Sequence, residues 1–121
     1  LFEKLVTGGD LSPEKNMAVQ VFFMKIEDPI KYTKLYTKLF KAEEKAGHID
    51  GAYGLRALVA GDNSGYTHYG FIGSSNLQVA LENRKDFFSS ENFKTFNKQV
   101  AGSREVVSSQ VAVVIRSYEK K

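Results

Sequence analysis

Histidine is the side chain in this sequence best suited to proton transfer, because its charge changes between roughly pH 5 and 8. The sequence holds 2 His, and His68 lies in a β-forming run that follows a turn-rich loop. We predict that His68 shares a sheet face with Tyr66 and Arg56, where it would act as a polar anchor or a general base. The alternative is a histidine that is hydrogen-bonded at a dimer boundary. His48 lies between a helix and a strand, so we assign it no role.

Arginines within apolar, strand-like runs are the second candidate group, and they are Arg56 and Arg116. A guanidinium in an apolar strand loses hydration, so it needs a carboxylate or an anionic ligand as a partner. We predict that one or both hold an acidic or carbonyl-bearing ligand, the alternative being a salt bridge at a strand end or interface. Tyr66, Gln20 and Phe22 complete the candidate ligand-binding residues, with Tyr66 as a hydrogen-bond donor to a carbonyl.

Several other kinds of site are excluded by the residue types present. The sequence has no cysteine, so it contains neither a disulfide nor a thiolate nucleophile. Its histidines are far apart and lack the spacing of metal ligands, so we predict no metal and no cofactor. The loop at 61–65 lacks the lysine of a phosphate-binding loop and precedes a strand, which does not favour nucleotide binding.

The charge pattern indicates an ordinary solvated surface. The formal net charge is +3, and acidic residues are spread among the basic ones. Lysines follow the polar side of the first predicted helix without aromatic partners, so we predict no nucleic-acid partner. No apolar run approaches the ~20 residues that cross a bilayer, so we predict no membrane partner. We expect a cytoplasmic location, and a removed leader stays open because the chain begins at Leu1.

The length of 121 residues fits one hydrophobic core. We predict a turn-rich arm at 1–16 and a single domain at 17–121. Residues 17–26 are apolar on both alternating faces, which is typical of an interior strand. Asp28 and Pro29 then predict the start of a helix that ends near Gly47.

The second half of the chain predicts a hairpin, a broken helix and a last strand. Two β-rich runs between Ala52 and Gly73 flank the loop at 61–65, and we predict that Ala60 faces Tyr66 across it. A helical region beginning at Ser74-Ser75 and interrupted in its middle follows, and a strand is predicted at 110–118. The predicted element order is therefore βαββαβ.

This order predicts an α+β, ferredoxin-like fold, with a four-stranded antiparallel sheet and the helices on one face. On the other face the predicted register places Phe22, Met24, Leu58 and Ile72. Because so many apolar groups should not face water, we predict that a second copy covers them in a sheet-to-sheet homodimer.

The element order, the Asp28-Pro29 helix start, the hairpin and the segment Phe87 to Phe96 resemble the dimeric α+β barrel superfamily. They are similar in particular to its antibiotic-biosynthesis monooxygenase branch and uncharacterised relatives. The resemblance implies a homodimer with a cavity for a small, largely apolar or aromatic molecule, and a cofactor-independent monooxygenase reaction. Where that branch often carries histidines, this chain has Phe87 and Asn92. The alternative is a non-catalytic binding or structural dimer.

Overall fold

The structure is a computed structural model that describes residues 2–58 and 65–113. Within these residues one antiparallel sheet has the strand order β1-β3-β4-β2-β5, and the helices pack on one of its faces. In chain order the strands and helices are β1 (Phe2–Gly9), β2 (Ala18–Ile26), α1 (Pro29–Lys45), β3 (Ala52–Leu58), β4 (His68–Ser74), α2 (Leu77–Phe88), α3 (Glu91–Val100) and β5 (Arg104–Val113). A single 3-10 turn, Pro13–Lys15, links β1 to β2.

The first helix begins and ends where the sequence predicts. The Asp28 carboxylate accepts a hydrogen bond from the Lys31 backbone N–H at 3.2 Å, and Pro29 occupies the first helical position. Gly47 follows the helix with a φ of 83°, a left-handed conformation that glycine adopts without strain. The apolar side of α1 is buried against the sheet, and the lysines of its polar side are exposed.

The predicted break in the second helical region is confirmed. Helix α2 ends at Phe88, and α3 starts two residues after Ser89, with the Ser90 hydroxyl accepting a hydrogen bond from the Phe93 N–H at 3.0 Å. The start of α2 differs from the prediction, since Asn76 caps it by accepting from the Val79 N–H at 2.9 Å. Ser75 instead donates to Asp50, outside the helix.

The predicted four-stranded sheet is wrong, because β1 forms a further strand within the predicted N-terminal arm. It pairs antiparallel with β3, and buried Val6 contributes to the core. A pairing irregularity between Lys4 and Val6 breaks the alternation that marks a strand. Gly8 and Gly9 also resemble a turn in the sequence, although both pair with β3.

The last strand begins at Arg104 and not at Gln110 as predicted. Arg104 pairs with Ile26 and Val106 with Met24, and the register then shifts before Ser108 pairs with Phe23. This bulge and the polar residues 108–110 interrupt the apolar pattern, which is why the sequence does not reveal the first half of β5. Residues 114–118 of the predicted strand lie outside the described residues.

The predicted hairpin register is also wrong, by one residue. In the structure Ala57 pairs with His68 and Leu55 with Gly70, so His68 and Arg56 lie on opposite faces of the sheet. Gly70 faces the helices, where an added Cβ would lie 2.6 Å from the Tyr36 hydroxyl oxygen. Packing against α1 therefore selects this register. The predicted Ala60 to Tyr66 pairing lies outside the described residues.

Three of the four apolar residues predicted for the face away from the helices lie instead on the helix side of the sheet. Met24 and Ile72 are core residues, and Phe22 packs against that core. The face turned away from the helices, hereafter the open face, carries Leu58 as predicted, together with Val19, Val21, Phe23, Tyr69 and Phe71. These side chains are half-buried in the single chain.

None of the helices in the described part of the chain is both long and apolar enough to cross a membrane.

Candidate functional site

A pocket of about 200 Å³ lies between the sheet and the helices. We call it the aromatic cavity, because rings from β2 and the helices form most of its wall. Those rings belong to Phe22, Tyr32, Tyr36, Phe40, Phe87, Phe88, Phe93 and Phe96. Aliphatic contacts come from Leu39 and Ile72, and Val106 and Ser109 of β5 lie along one side.

The rings of this wall hold one another in place. Tyr36 stacks on Phe40 with ring centroids 4.1 Å apart, and Phe40 contacts Phe87 at 5.1 Å. On the other side Phe88 meets Phe93 edge to face at 4.8 Å. Ring pairs at these separations are favourable geometries, so the wall is formed before any ligand arrives.

Tyr32 and Arg104 form a polar end of the aromatic cavity. The Tyr32 side chain is buried, with 3% exposed, and its hydroxyl donates to the Met24 sulfur at 3.2 Å. Burial raises the pKa of Tyr32, and the charge and hydrogen bonding of the nearby Arg104 guanidinium offset only part of this effect. The phenol is therefore neutral near pH 7 and carries a proton that only a weak acceptor holds.

Arg104 is placed by the start of β5 and by α3. Its Nη2 donates to Asn97 Oδ1 at 2.5 Å, and its guanidinium lies over the Phe96 ring at 5.7 Å. Its Nε atom is buried and has no hydrogen-bond partner within the described residues. A buried guanidinium N–H that lacks an acceptor destabilises the protein, so this N–H is suited to donate a hydrogen bond to an acceptor atom of a ligand.

Arg84 adds a second positive charge at the aromatic cavity. It is an exposed residue of α2 whose guanidinium lies 5.3 Å from the centre of the Phe88 ring. Among the described residues that line the cavity there is neither a carboxylate nor a histidine. The lining therefore combines an apolar wall with positive charge.

Tyr36 lines the cavity but has no proton to offer a ligand. Its hydroxyl donates to the Gly54 carbonyl oxygen at 2.6 Å. Burial raises the pKa of Tyr36 well above its usual value, so the group stays a neutral phenol committed to the sheet. Its role is to join α1 to β3.

His68, the predicted catalytic residue, is buried on the helix side of the sheet but does not line the aromatic cavity. Its Nδ1 lies 2.7 Å from the Thr67 hydroxyl oxygen. That hydroxyl is also within 3.0 Å of the Ile26 backbone N–H, from which it accepts a hydrogen bond. His68 is therefore hydrogen-bonded at the first position of β4. A catalytic role for it stays a prediction.

The other predicted site residues are not brought together. Arg56 lies on the open face, where Nη1 donates to Val6 O at 2.6 Å and the guanidinium lies 5.0 Å from the Phe71 centroid. Buried Gln20 donates to the Ala80 carbonyl at 3.3 Å. Of the predicted residues that the structure describes, Phe22 alone lines the aromatic cavity, and Arg116 lies outside the described residues.

Tyr66 lies in a second, more polar groove of about 500 Å³ at the end of β2 and the start of β5. Its ring packs on Phe23 with the centroids 4.8 Å apart. Lys25, Glu27 and Glu105 give this groove charges of both signs. A ligand-binding role for Tyr66 stays a prediction.

Sequence reasoning missed Arg104 and Tyr32 as a pair. Tyr32 is visible in the sequence only as one apolar position of α1. Arg104 lies just after Gly102, in a stretch that reads as a loop before the predicted last strand. The available signal is the run Arg104 to Val107, whose two valines favour a strand.

A metal centre is not found in the part of the chain that the structure describes. Over residues 2–58 and 65–113, no group of three or more His, Asp or Glu side chains is arranged to hold an ion.

No protein-family model matches this chain, and no curated protein matches it. A solved structure from Lactobacillus acidophilus NCFM, described as a putative monooxygenase, is similar with a TM-score of 0.64 and 14% sequence identity. The match covers 93% of this chain and 49% of that one, so this chain spans about half the length of its neighbour. The likeness shows the fold alone, and it agrees with the predicted ferredoxin-like arrangement of an antiparallel sheet with helices on one face.

Proposed function

We propose that this chain binds one small, largely apolar or aromatic molecule in the aromatic cavity. The observation that carries the proposal is the cavity itself, which measures about 200 Å³ and is walled by packed rings. An apolar cavity of about 150 Å³ in another protein stays dry and takes up benzene. A single ring with one or two small substituents therefore matches the space.

We propose further that the protein works as a homodimer in which the open faces of two sheets meet. The open face carries Phe23 in contact with Tyr66 and Tyr69, and Phe2 meets Tyr69 edge to face at 5.0 Å. Such a patch is larger and more aromatic than isolated surface residues require. Two-fold association of identical patches is the commonest way to cover it.

An oxygenase reaction is the second candidate function, and the fold likeness to a protein described as a monooxygenase favours it. Without a cofactor the substrate itself must supply the electrons. Hydroquinone is an example of a substrate for which such a reaction balances, since with O2 it would give hydroxybenzoquinone and water. One oxygen atom of O2 enters the ring, and the other leaves as water. The ring loses the two phenolic protons and gains one hydroxyl group.

Binding is proposed ahead of oxidation because of the cavity lining. Removal of a substrate proton needs a base within hydrogen-bond reach. The described lining residues offer only Tyr32 and two arginines as ionisable groups besides the bonded Tyr36. These groups are donors near pH 7, which suits holding a ligand better than deprotonating it.

Two neighbouring valines of β5 provide a matched test of the binding site. Val106 lines the aromatic cavity and is 47% exposed, whereas Val107 is 44% exposed and does not line it. We expect saturable binding of p-xylene, followed by saturation-transfer NMR, in the wild type and in Val107→Trp. Val106→Trp should lose it, because the indole fills the space. Equal binding by both variants would contradict the proposal.

The oxygenase reaction has a separate test. The protein is incubated with hydroquinone under labelled O2, and the ring product is examined by mass spectrometry for one labelled oxygen. Catalysis predicts label above a protein-free control in the wild type and in Val107→Trp, and none above it in Val106→Trp. Product at the control level in all three proteins would leave the chain as a binding protein.

A further inference from the structure

We infer that the ligand of the aromatic cavity is a single-ring aromatic carboxylate, with its acid group held by Arg104 and Tyr32. The inference rests on the proposed function and names the chemical class of its ligand. It is built from the position of unused hydrogen-bond donors, from the charge of the lining and from the size of the space.

The first step is the unused donor of Arg104. Its Nη2 is committed to Asn97, while its Nε–H is buried and without a partner among the described residues. Burial removes the water that would otherwise satisfy this N–H. A carboxylate oxygen is the acceptor that a guanidinium binds most strongly, since both groups are charged.

The second step is the phenolic proton of Tyr32. Its present acceptor is the Met24 sulfur at 3.2 Å, which is a weak acceptor. A carboxylate oxygen in the cavity would replace it with a charge-assisted hydrogen bond. The two oxygens of one carboxylate can then receive the Tyr32 O–H and the Arg104 Nε–H separately.

The third step is the sign of the charge around the cavity. Arg84 and Arg104 both line it, and the described lining contains no Asp or Glu to balance them. Both guanidinium groups lie over rings of the wall, Arg84 over Phe88 and Arg104 over Phe96. This arrangement holds positive charge beside an apolar space, which favours an anion with an apolar body over a neutral ligand.

The test compares three probes of the same shape: p-toluate, p-toluamide and p-xylene. Each is titrated into the wild-type protein and its dissociation constant is measured by NMR. We expect p-toluate to bind at least about tenfold more tightly than p-toluamide, because only the acid offers two charged acceptor oxygens. p-Xylene reports whether the apolar part of the cavity is intact.

Two variants locate the acid group, and one controls for charge. Arg104→Met and Tyr32→Phe should each reduce the preference for p-toluate over p-toluamide by at least about fivefold, because each removes one donor. Saturable binding of p-xylene by both variants, whatever its affinity, reports an intact fold and cavity. Lys98→Met removes one positive charge from an exposed position of α3 and should keep the full preference.

The outcomes separate this inference from the function on which it rests. Binding of p-xylene without any preference for p-toluate would overturn the inference and leave the proposed function in place. A preference that survives Arg104→Met and Tyr32→Phe would also overturn it. If none of the three probes binds the wild type, both the proposed function and the inference fall.

Discussion

His68 shows how burial controls the charge of a single side chain in this fold. Only 4% of the residue is exposed, and its Nδ1 bonds the Thr67 hydroxyl. Burial lowers the pKa of His68 from its usual 6.5, because the imidazolium form loses its hydration. The ring is therefore neutral at pH 7, and it cannot act there as a cation for an acidic ligand.

We predict that acidification destabilises the protein through His68. As pH falls below 6.5, the unfolded chain binds a proton at this position before the native protein does. The free energy of unfolding should therefore decrease from about pH 6.5 down to the lower native pKa. Urea unfolding between pH 7 and 5 should show a shallower decrease in His68→Gln than in the wild type. An identical slope in the two proteins would contradict the assignment.

Glu43 is a second residue whose surroundings fix its role. It is 0% exposed, and its two carboxylate oxygens lie 3.0 Å from His48 Nδ1 and 3.0 Å from Asn92 Nδ2. The sequence alone predicts no role for His48, because it lies between a helix and a strand. In the structure His48 has a structural role. It bonds the segment after α1 back to Glu43 of the helix, and Glu43 in turn bonds Asn92 of α3.

We predict that Glu43→Gln lowers the free energy of unfolding by about 1–3 kcal/mol, because a buried hydrogen-bonding group loses one of its matched partners. Chemical denaturation at pH 7 measures the change. Glu44→Gln is the control, since Glu44 is the neighbouring residue and is exposed. Equal effects of the two substitutions would show that the Glu43 contacts add nothing particular to stability.

At the scale of elements, Asp50 joins three segments of the chain. Its Oδ2 accepts from the Ser75 backbone N–H at 2.8 Å and from the Ser75 hydroxyl, and Oδ1 lies 3.4 Å from Lys15 Nζ. Burial alone would raise the pKa of Asp50, but the Ser75 hydrogen bonds and Lys15 outweigh it, and the pKa falls below 3.8. One carboxylate therefore connects the loop before β3, the segment just before α2 and the β1–β2 connection.

We predict that this junction contributes stability at neutral pH that is lost in acid. Because the native pKa lies below the unfolded one, the contribution is complete above about 3.8 and decreases as pH falls towards the native value. Asp50→Asn should lower the free energy of unfolding by about 1–2 kcal/mol at pH 7. The difference between wild type and variant should shrink at pH 3, and a difference that does not depend on pH would contradict the account.

The sequence predicts the helices and the strands β2, β3 and β4, but not β1, the first half of β5 or the strand register. Periodicity and capping residues locate α1 and the break between α2 and α3, because these signals are local. Pairing of β3 with β4 is decided by Tyr36 lying over Gly70, a contact between distant positions. The same limit hides the aromatic cavity: its rings are visible as helical repeats, but Arg104 reaches them only through the bulged pairing of β5 with β2.

At the scale of the whole molecule, the proposed meeting of two open faces makes a prediction about assembly. We predict that the wild type is a dimer in native mass spectrometry and that Phe23→Glu converts it to a monomer, since a charge would be buried at the centre of the contact. Leu81→Glu is the control, because Leu81 is 52% exposed on α2 in the helix layer. A wild-type monomer, or equal dissociation of both variants, would contradict a dimer through this face.

The sequence predicts that both faces of the sheet carry apolar residues, but it does not identify the residues of each face. The sequence-based prediction assigned Phe22, Met24 and Ile72 to the open face, whereas in the structure they face the helices. Phe23, Tyr69 and Phe71 lie on the open face instead. When a strand has apolar residues at both odd and even positions, its sequence does not show which of the two groups faces the helices. The inference of two apolar faces survives the error because either register produces it.

The most direct test of the account is an NMR titration of methyl-labelled protein with p-toluate. Met24 and Ile72 line the aromatic cavity, whereas Ile30 is exposed at the start of α1 and Ile49 does not line it. We predict saturable shifts of the Met24 and Ile72 methyl signals, with the Ile30 and Ile49 signals unchanged. Shifts confined to residues outside the cavity, or no shifts with saturating p-toluate and again none with p-xylene, would contradict the claim that this cavity is the binding site.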